Sequence, residues 1–172
     1  ARTVASPNPA AKGAHVPLVR SFWLSTAAGK KAWVNPVVDR KSMSYRFEVH
    51  TGDGEPPVAT VGRTGGLCLL TGSPMPLDYI RAEGRAGRLN ARLMAIVADG
   101  KDGRVYLPPN EPHEEVAINA EPIDVPETLL AKNPRDFKTP NYGMTKHRDL
   151  FTKRQLVAMT TFCDLVSKAR LL

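Results

Sequence analysis

The chain has 172 residues, 42% of them hydrophobic, with 15 prolines, 13 glycines and a net charge of +7. That size and apolar content suit one packed domain, or one domain with an appendage. The Pro and Gly content favours short elements and turns over a long bundle. A disulfide scaffold is excluded by there being only Cys68 and Cys163, and no run reaches the roughly 18 apolar residues that span a bilayer.

The chain begins at Ala1, with no apolar signal region behind Arg2, and reads as a cytoplasmic segment of something longer. Its first stretch of interest runs from Ser6 to Leu18. A second, from Cys68 to Leu77, resembles it: both contain Gly-x-x-x-Pro-Leu, at 13–18 and 72–77. A Cys-x-x-Cys-Gly knuckle followed by a strand has this form, and zinc ribbons build one tetrahedral site from two such knuckles. Here Ser6, Ala11 and Thr71 stand with Cys68 where four thiolates are expected. The expectation is a ribbon whose knuckles are degenerate, which binds no metal and needs no cofactor within this chain. A core larger than that of a small zinc domain must replace the metal's stabilisation.

Residues 16–50 read as a β-meander. Val16 to Leu24 is the first strand, and Ala27 to Lys30 a turn. Lys31 to Asp39 follows, with Pro36 marking an edge or a bulge. After a turn at Arg40-Lys41-Ser42, Tyr45, Phe47 and Val49 alternate with Arg46, Glu48 and His50, a strand with period two. Pro76-Leu77-Asp78 starts a helix reaching about Gly87, with Gly84 a weak point inside it. Leu93 to Val97 is an apolar run with the form of a buried strand. A turn over Asp99 to Gly103 returns the chain to Val105-Tyr106-Leu107. A short acidic helix is expected from Glu111 to Ile118, then a Pro-rich irregular stretch to about residue 149.

The last helix has the sharpest signature. Thr152 with Gln155 makes a capping box, and Phe151 with Leu156 a hydrophobic staple. Leu156, Met159, Cys163 and Val166 recur at helical spacing. The helix should run from Lys153 to Ala169 and pack on the core, with Cys163 on its buried face. The fold class expected is therefore α+β: an antiparallel, ribbon-like β-rich core, a few short helices and a long C-terminal helix. Residues 1–110 form the β-rich domain, 111–149 the acidic and irregular segment, and 150–172 the C-terminal helix.

Charge is distributed in blocks: +6 over residues 1–50, −6 over 105–127 and +6 over 128–172. A basic body fits nucleic acid as a partner and fits an ordinary solvated surface equally. Basic residues lie beside aromatic ones at Arg20-Ser21-Phe22-Trp23 and Lys30-Lys31-Ala32-Trp33. Arg81, Arg85, Arg88 and Arg92 would share one face of a continuous helix, a stripe able to contact phosphates. The candidate nucleic-acid-binding set is Arg20, Lys30, Lys31, Arg81, Arg85 and Arg88. No catalytic constellation is visible. His15, His50, His113 and His147 have no nucleophile at catalytic spacing. His113-Glu114-Glu115 lacks the second His of a metalloprotease helix, and Gly62-Arg63-Thr64-Gly65-Gly66 lacks the ending of a phosphate-binding loop.

Long stretches resemble a known family. Pro17 to Ser25, Trp33 to Val38, Thr60 to Gly65, Asp78 to Arg88, Leu93 to Ala98, Arg104 to Pro109, Asn133 to Met144 and Asp149 to Met159 are similar to a segment of large prokaryotic adenine-specific DNA methylases, described there as a domain of unknown function. In relatives the knuckles carry their cysteines. The resemblance implies a module working with DNA and with the catalytic methylase region of a parent chain. S-adenosylmethionine would be bound by that parent and not here. Neither the Phe-x-Gly-x-Gly turn nor the Asp/Asn-Pro-Pro-Tyr/Phe motif is present; Asn133-Pro134 and Pro140-Asn141-Tyr142 are imperfect echoes. Two functions follow as expectations: a non-catalytic DNA-binding or target-recognition module, or a structural module that docks on the catalytic region and leaves DNA alone.

Overall fold

The structure is a computed structural model that describes residues 1–133 and 135–170; Pro134, and with it the Asn133-Pro134 echo, and residues 171 and 172 lie outside it. Two antiparallel hairpins carry the two Gly-x-x-x-Pro-Leu stretches. β1 (Arg2–Ala5) pairs with β2 (His15–Leu18), and β1 also pairs with a later short strand, so that it is the central strand of three. A second three-stranded sheet holds β3 (Trp23–Ser25), β4 (Ala32–Asp39) and β5 (Ser44–Thr51) in that order. β6 (Gly65–Leu67) and β7 (Pro74–Pro76) form the other hairpin. α1 (Leu77–Arg85) follows at once, and β8 (Asn90–Ala91) returns to β1. The hairpin β9 (Ile96–Gly100) and β10 (Gly103–Leu107) precedes α2 (Glu111–Ile118) and, at the end, α3 (Lys153–Ala169). The molecule is thus mixed α/β with antiparallel sheets and a long C-terminal helix.

The expected first strand of the meander divides. Residues 15–18 belong to the β1 sheet and residues 23–25 to the β4 sheet. Between them Val19 and Phe22 turn into the core, where Phe22 is 1% exposed beside Val4, Val16, Val34, Met75 and Ile80. Pro36 sits in β4 opposite Phe47, where β4 has lost its pairing with β3 and its other side is free. A proline there costs no ladder bond, which reconciles it with a strand that is central at its other end. Tyr45 and Phe47 are buried, as their alternation requires.

α1 ends at Arg85, and Gly87 follows with φ +70, a left-handed position that suits glycine. Gly84 has a packing reason. A Cβ there would lie 2.5 Å from the carbonyl oxygen of Tyr142, so the 3-10 turn Thr139–Tyr142 rests directly on the helix backbone.

Two expectations are corrected. Residues 93–97 do not form a buried strand: β9 begins at Ile96, and Val97 is exposed. Residues 93–96 are half-buried, with Met94 and Ala95 against the core, so the apolar run is half-buried at most. On α3 the capping box of Thr152 and Gln155 is formed, but the helix packs on the core only in its first turn. Leu156 is buried; Met159, Phe162, Leu165 and Val166 are exposed, and so is Cys163, which is not a core residue. Beyond Leu156 only Val157 and Thr160 stay half-buried among the described residues, and spacing alone carries no information about what faces a stripe.

Candidate nucleic-acid interface

The two similar stretches meet. Gly13 (φ +76) and Gly72 (φ +72) make equivalent left-handed bends, each closing a hairpin loop. The Ser6 amide donates to the Ala14 carbonyl at 2.9 Å, and the Cys68 amide to the Ser73 carbonyl at 2.8 Å, so Ser6 and Cys68 hold matching places in the two loops. Across the junction the Ser6 hydroxyl donates to the Cys68 sulfur at 3.2 Å, and the Asn8 side-chain amide to the Ser73 hydroxyl at 2.7 Å. Thr71 Oγ1 donates to the same Ser73 hydroxyl at 3.1 Å. Ala11 is fully buried beneath its loop. Burial pushes the Cys68 thiol up, but hydrogen bonds from the Ser6 and Thr71 hydroxyls and from nearby backbone amides bring it below the usual thiol value. The donors are one thiol and two hydroxyls, with Ala11 offering none. That set does not fit a tetrahedral zinc ion. Among the described residues, no group of three or more His, Cys, Asp or Glu lies together.

Further ties lock the two loops to their surroundings. Buried Thr60 donates its hydroxyl to the Pro17 carbonyl at 2.6 Å and accepts the Val19 amide at 2.8 Å. Its own carbonyl accepts the Leu67 amide, so one threonine joins the two hairpins. Tyr79, on α1, donates its hydroxyl to the Ala5 carbonyl at 2.9 Å.

The six candidate cations divide between two regions. Arg20 is exposed in the link from β2 to β3, and Lys30 and Lys31 stand at the turn from β3 to β4. None of the three is in an ion pair among the described residues. Beside them Trp23 meets Trp33 edge to face at 5.9 Å, and Trp33 stacks on the His50 ring at 5.7 Å and 14°. The Lys31 ammonium lies 6.0 Å from the centre of the Trp23 ring. Register explains the stack: Trp23, Trp33 and His50 are direct cross-strand neighbours on one face. Gly54 closes over Trp33, where a Cβ would come within 2.5 Å of the indole. Trp33 is therefore buried, while Trp23 is half-buried and His50 exposed.

The arginine stripe does not form as one helix face. Arg81 and Arg85 are on α1; Arg88 and Arg92 lie beyond its end. Arg81 pairs with Asp78 at 3.2 Å. Arg85 donates to the Asn141 carbonyl at 3.4 Å and has no carboxylate partner among the described residues. Arg88 forms a two-pronged pair with buried Glu83, at 2.6 and 2.9 Å. Arg92 covers the Tyr45 ring at 4.6 Å. The break at Gly87 turns Arg88 back on its own helix, where it pairs with Glu83 although its side chain stays exposed.

The sequence reading missed Thr60, Asn8 and Ser73, ordinary polar residues whose value comes from partners 41 to 65 residues away. The stack of His50 on Trp33 was also missed, because it depends on the register between β4 and β5. Comparison with family models, with curated proteins and with solved structures finds no match.

Proposed function

We propose that this chain is a non-catalytic DNA-binding module built on a metal-free ribbon, and that it belongs to a DNA adenine methylase-like protein. The observation that carries the binding reading is the aromatic and cationic corner of the β3–β4–β5 sheet. Lys31 lies 6.0 Å from the Trp23 ring there, Arg20 and Lys30 are its near neighbours in the chain, and none of the three pairs with a carboxylate among the described residues. Phosphates supply what such cations lack, and the release of condensed counterions drives the association. Trp23 adds an apolar surface against sugar or base. Arg85 is a secondary contact. Arg88 is a weaker contact, because it already pairs with Glu83. The ribbon reading is supported by the matched bends at Gly13 and Gly72 and by the hydroxyl and thiol network between the loops. The resemblance to methylase segments supplies the parent, its S-adenosylmethionine and the cytoplasm as the place of action. No helix among the described residues is long and apolar enough to cross a membrane.

Binding to duplex DNA should be weak and nearly indifferent to sequence. Replacing Arg20, Lys30 and Lys31 with Ala should weaken it for every duplex and flatten the salt dependence, by about one unit of slope for each phosphate no longer neutralised. Anisotropy titrations of labelled duplexes at several salt concentrations measure this. No binding at low salt, or an unchanged slope in the triple variant, would leave the docking reading in its place. That second reading is favoured by the exposed apolar stripe of α3.

A further inference from the structure

A cleft of about 420 Å³ opens where the C-terminal part of the chain meets the end of α1 and the start of β1. Small-molecule sites are of this size, about 300–1,000 Å³. Gly84 and Gly143 line it, and a Cβ on Gly143 would collide with the Gly84 carbonyl, so two backbones meet at its wall. The apolar lining includes Leu89, Val125, Phe151 and Leu156. The cations come from three elements: Arg2 from β1, Arg148 from the 3-10 turn His147–Leu150, and Lys153 from the first position of α3.

Those cations are not balanced from within. Arg2 reaches across to donate to the Asp149 carbonyl at 3.4 Å. Neither Arg2 nor Lys153 pairs with a carboxylate among the described residues. Arg148 is shared between Glu127 and Asp149, and Glu127 also holds Lys146. Asp149, the one acid in the lining, accepts the Thr145 and Lys146 amides on Oδ2 at 2.9 and 2.8 Å. In this network Arg2, Lys146, Arg148 and Lys153 stand against Glu127 and Asp149, an excess of two positive charges. α3 adds to the excess. The N-terminus of a helix is the positive end of its dipole and favours acids. The first turn of α3 begins with Lys153 and Arg154 and holds no acid. Helix stability alone disfavours that arrangement, and an anion in the cleft would offset it.

We propose that this cleft binds a phosphate monoester with an apolar body. The phosphate lies among Arg2, Arg148 and Lys153, and the ester group lies against Leu89, Phe151 and Leu156. A dianion matches the excess of two charges, as a carboxylate or sulfonate does not. Guanidinium groups offer paired N–H donors to phosphate oxygens. The inference goes beyond the DNA-binding reading and does not rest on it, because Arg20, Lys30, Lys31 and Trp23 do not line the cleft.

The test is calorimetric titration of the full chain with phenyl phosphate at about pH 8, where the ester is doubly charged, its second pKa being about 6. Phenol, benzenesulfonate and inorganic phosphate are the controls. Phenyl phosphate should bind at least about tenfold more tightly than each of them, because only it carries both the double charge and the ring. Arg2→Ala with Lys153→Ala should weaken binding at least about fivefold. It should not lower the melting temperature, since both side chains are exposed. Val125→Trp, which fills the cleft, should remove binding. Ala at Arg20, Lys30 and Lys31 should leave it as it was. A 5′-phosphorylated oligonucleotide that displaces phenyl phosphate, where its 5′-hydroxyl form does not, would identify the ester as a strand end. Displacement by neither would identify it as a free small molecule. No binding of phenyl phosphate at millimolar concentration, or equal binding of benzenesulfonate, would overturn the proposal. So would an affinity unchanged in the Arg2 and Lys153 variant. Loss of binding in the Arg20, Lys30 and Lys31 variant would place the anion at the Trp23 corner and overturn it too.

Discussion

At the scale of single residues, the structure gives neighbouring arginines different partners. Arg85 and Arg88 are three apart on a basic stretch, yet one is free of carboxylates among the described residues and the other grips buried Glu83. Hydrogen bonds from the Arg88 guanidinium hold the Glu83 carboxyl below the usual carboxylate range, against the effect of burial. A folded value below the unfolded one stabilises the protein above the unfolded pKa, about 4.3 for Glu, and the contribution is lost as pH falls through the folded value. Glu127, held down by Lys146 and Arg148, acts in the same direction. Glu83→Gln should therefore flatten the acid limb of a plot of melting temperature against pH below about 4.3. Arg88→Ala should lower the melting temperature at neutral pH, and Arg85→Ala should not. A Glu83→Gln limb as steep as the parent's would show that the pair contributes nothing. The expected helix end at Gly87 set Arg88 apart from Arg85, but the pairing with Glu83 was not legible, because it depends on how the chain turns after Gly87.

Among the elements, α3 shows how a correct local reading leaves its surroundings open. Thr152, Gln155 and the spacing of Leu156, Met159 and Val166 specify where the helix starts and which face is apolar, and the helix observed has those features. They do not specify what the face meets. Leu156→Ala should cost about 2–4 kcal/mol in denaturant unfolding, because its side chain is buried. Phe162→Ala should cost less than about 0.5 kcal/mol, because its side chain is in solvent. Equal losses at the two sites would mean that the whole stripe is packed. The β3–β4–β5 sheet was more fully legible. Alternation at Tyr45, Phe47 and Val49 and the turn residues after Asp39 were visible in the chain. The Asp39 carboxylate accepts the Lys41 amide at 2.8 Å to close that turn. The division between β2 and β3 was not visible, because Val16 to Leu24 is apolar except at Arg20 and Ser21 while its halves serve different sheets.

The whole molecule is organised around the joining of two similar loops, Ser6 and Cys68 being 62 positions apart. If the paired loops derive from a zinc ribbon, they should accept the metal again once their thiolates are restored. In a tetrahedral thiolate site neighbouring sulfurs lie about 3.8 Å apart, from Zn–S bonds of about 2.3 Å, and Ser6 Oγ is already 3.2 Å from Cys68 Sγ. Ser6→Cys with Ala11→Cys and Thr71→Cys should bind one cobalt or zinc ion per chain, with a thiolate charge-transfer band for cobalt. The parent should bind none, and chelator should leave its melting temperature unchanged. A triple variant that stays metal-free would separate the paired loops from any ribbon ancestry. The amino-acid sequence by itself determined the repeat, the glycine bends, the periods of the strands and the cap of α3, because each depends on neighbours within a few positions. Tertiary structure alone decided the Thr60 tie, the Trp23–Trp33–His50 stack, the pairing of Arg88 with Glu83 and the exposure of α3. Those depend on where distant segments come to rest, and a hydrogen bond or a buried face is defined by both of its partners, of which the local sequence names one.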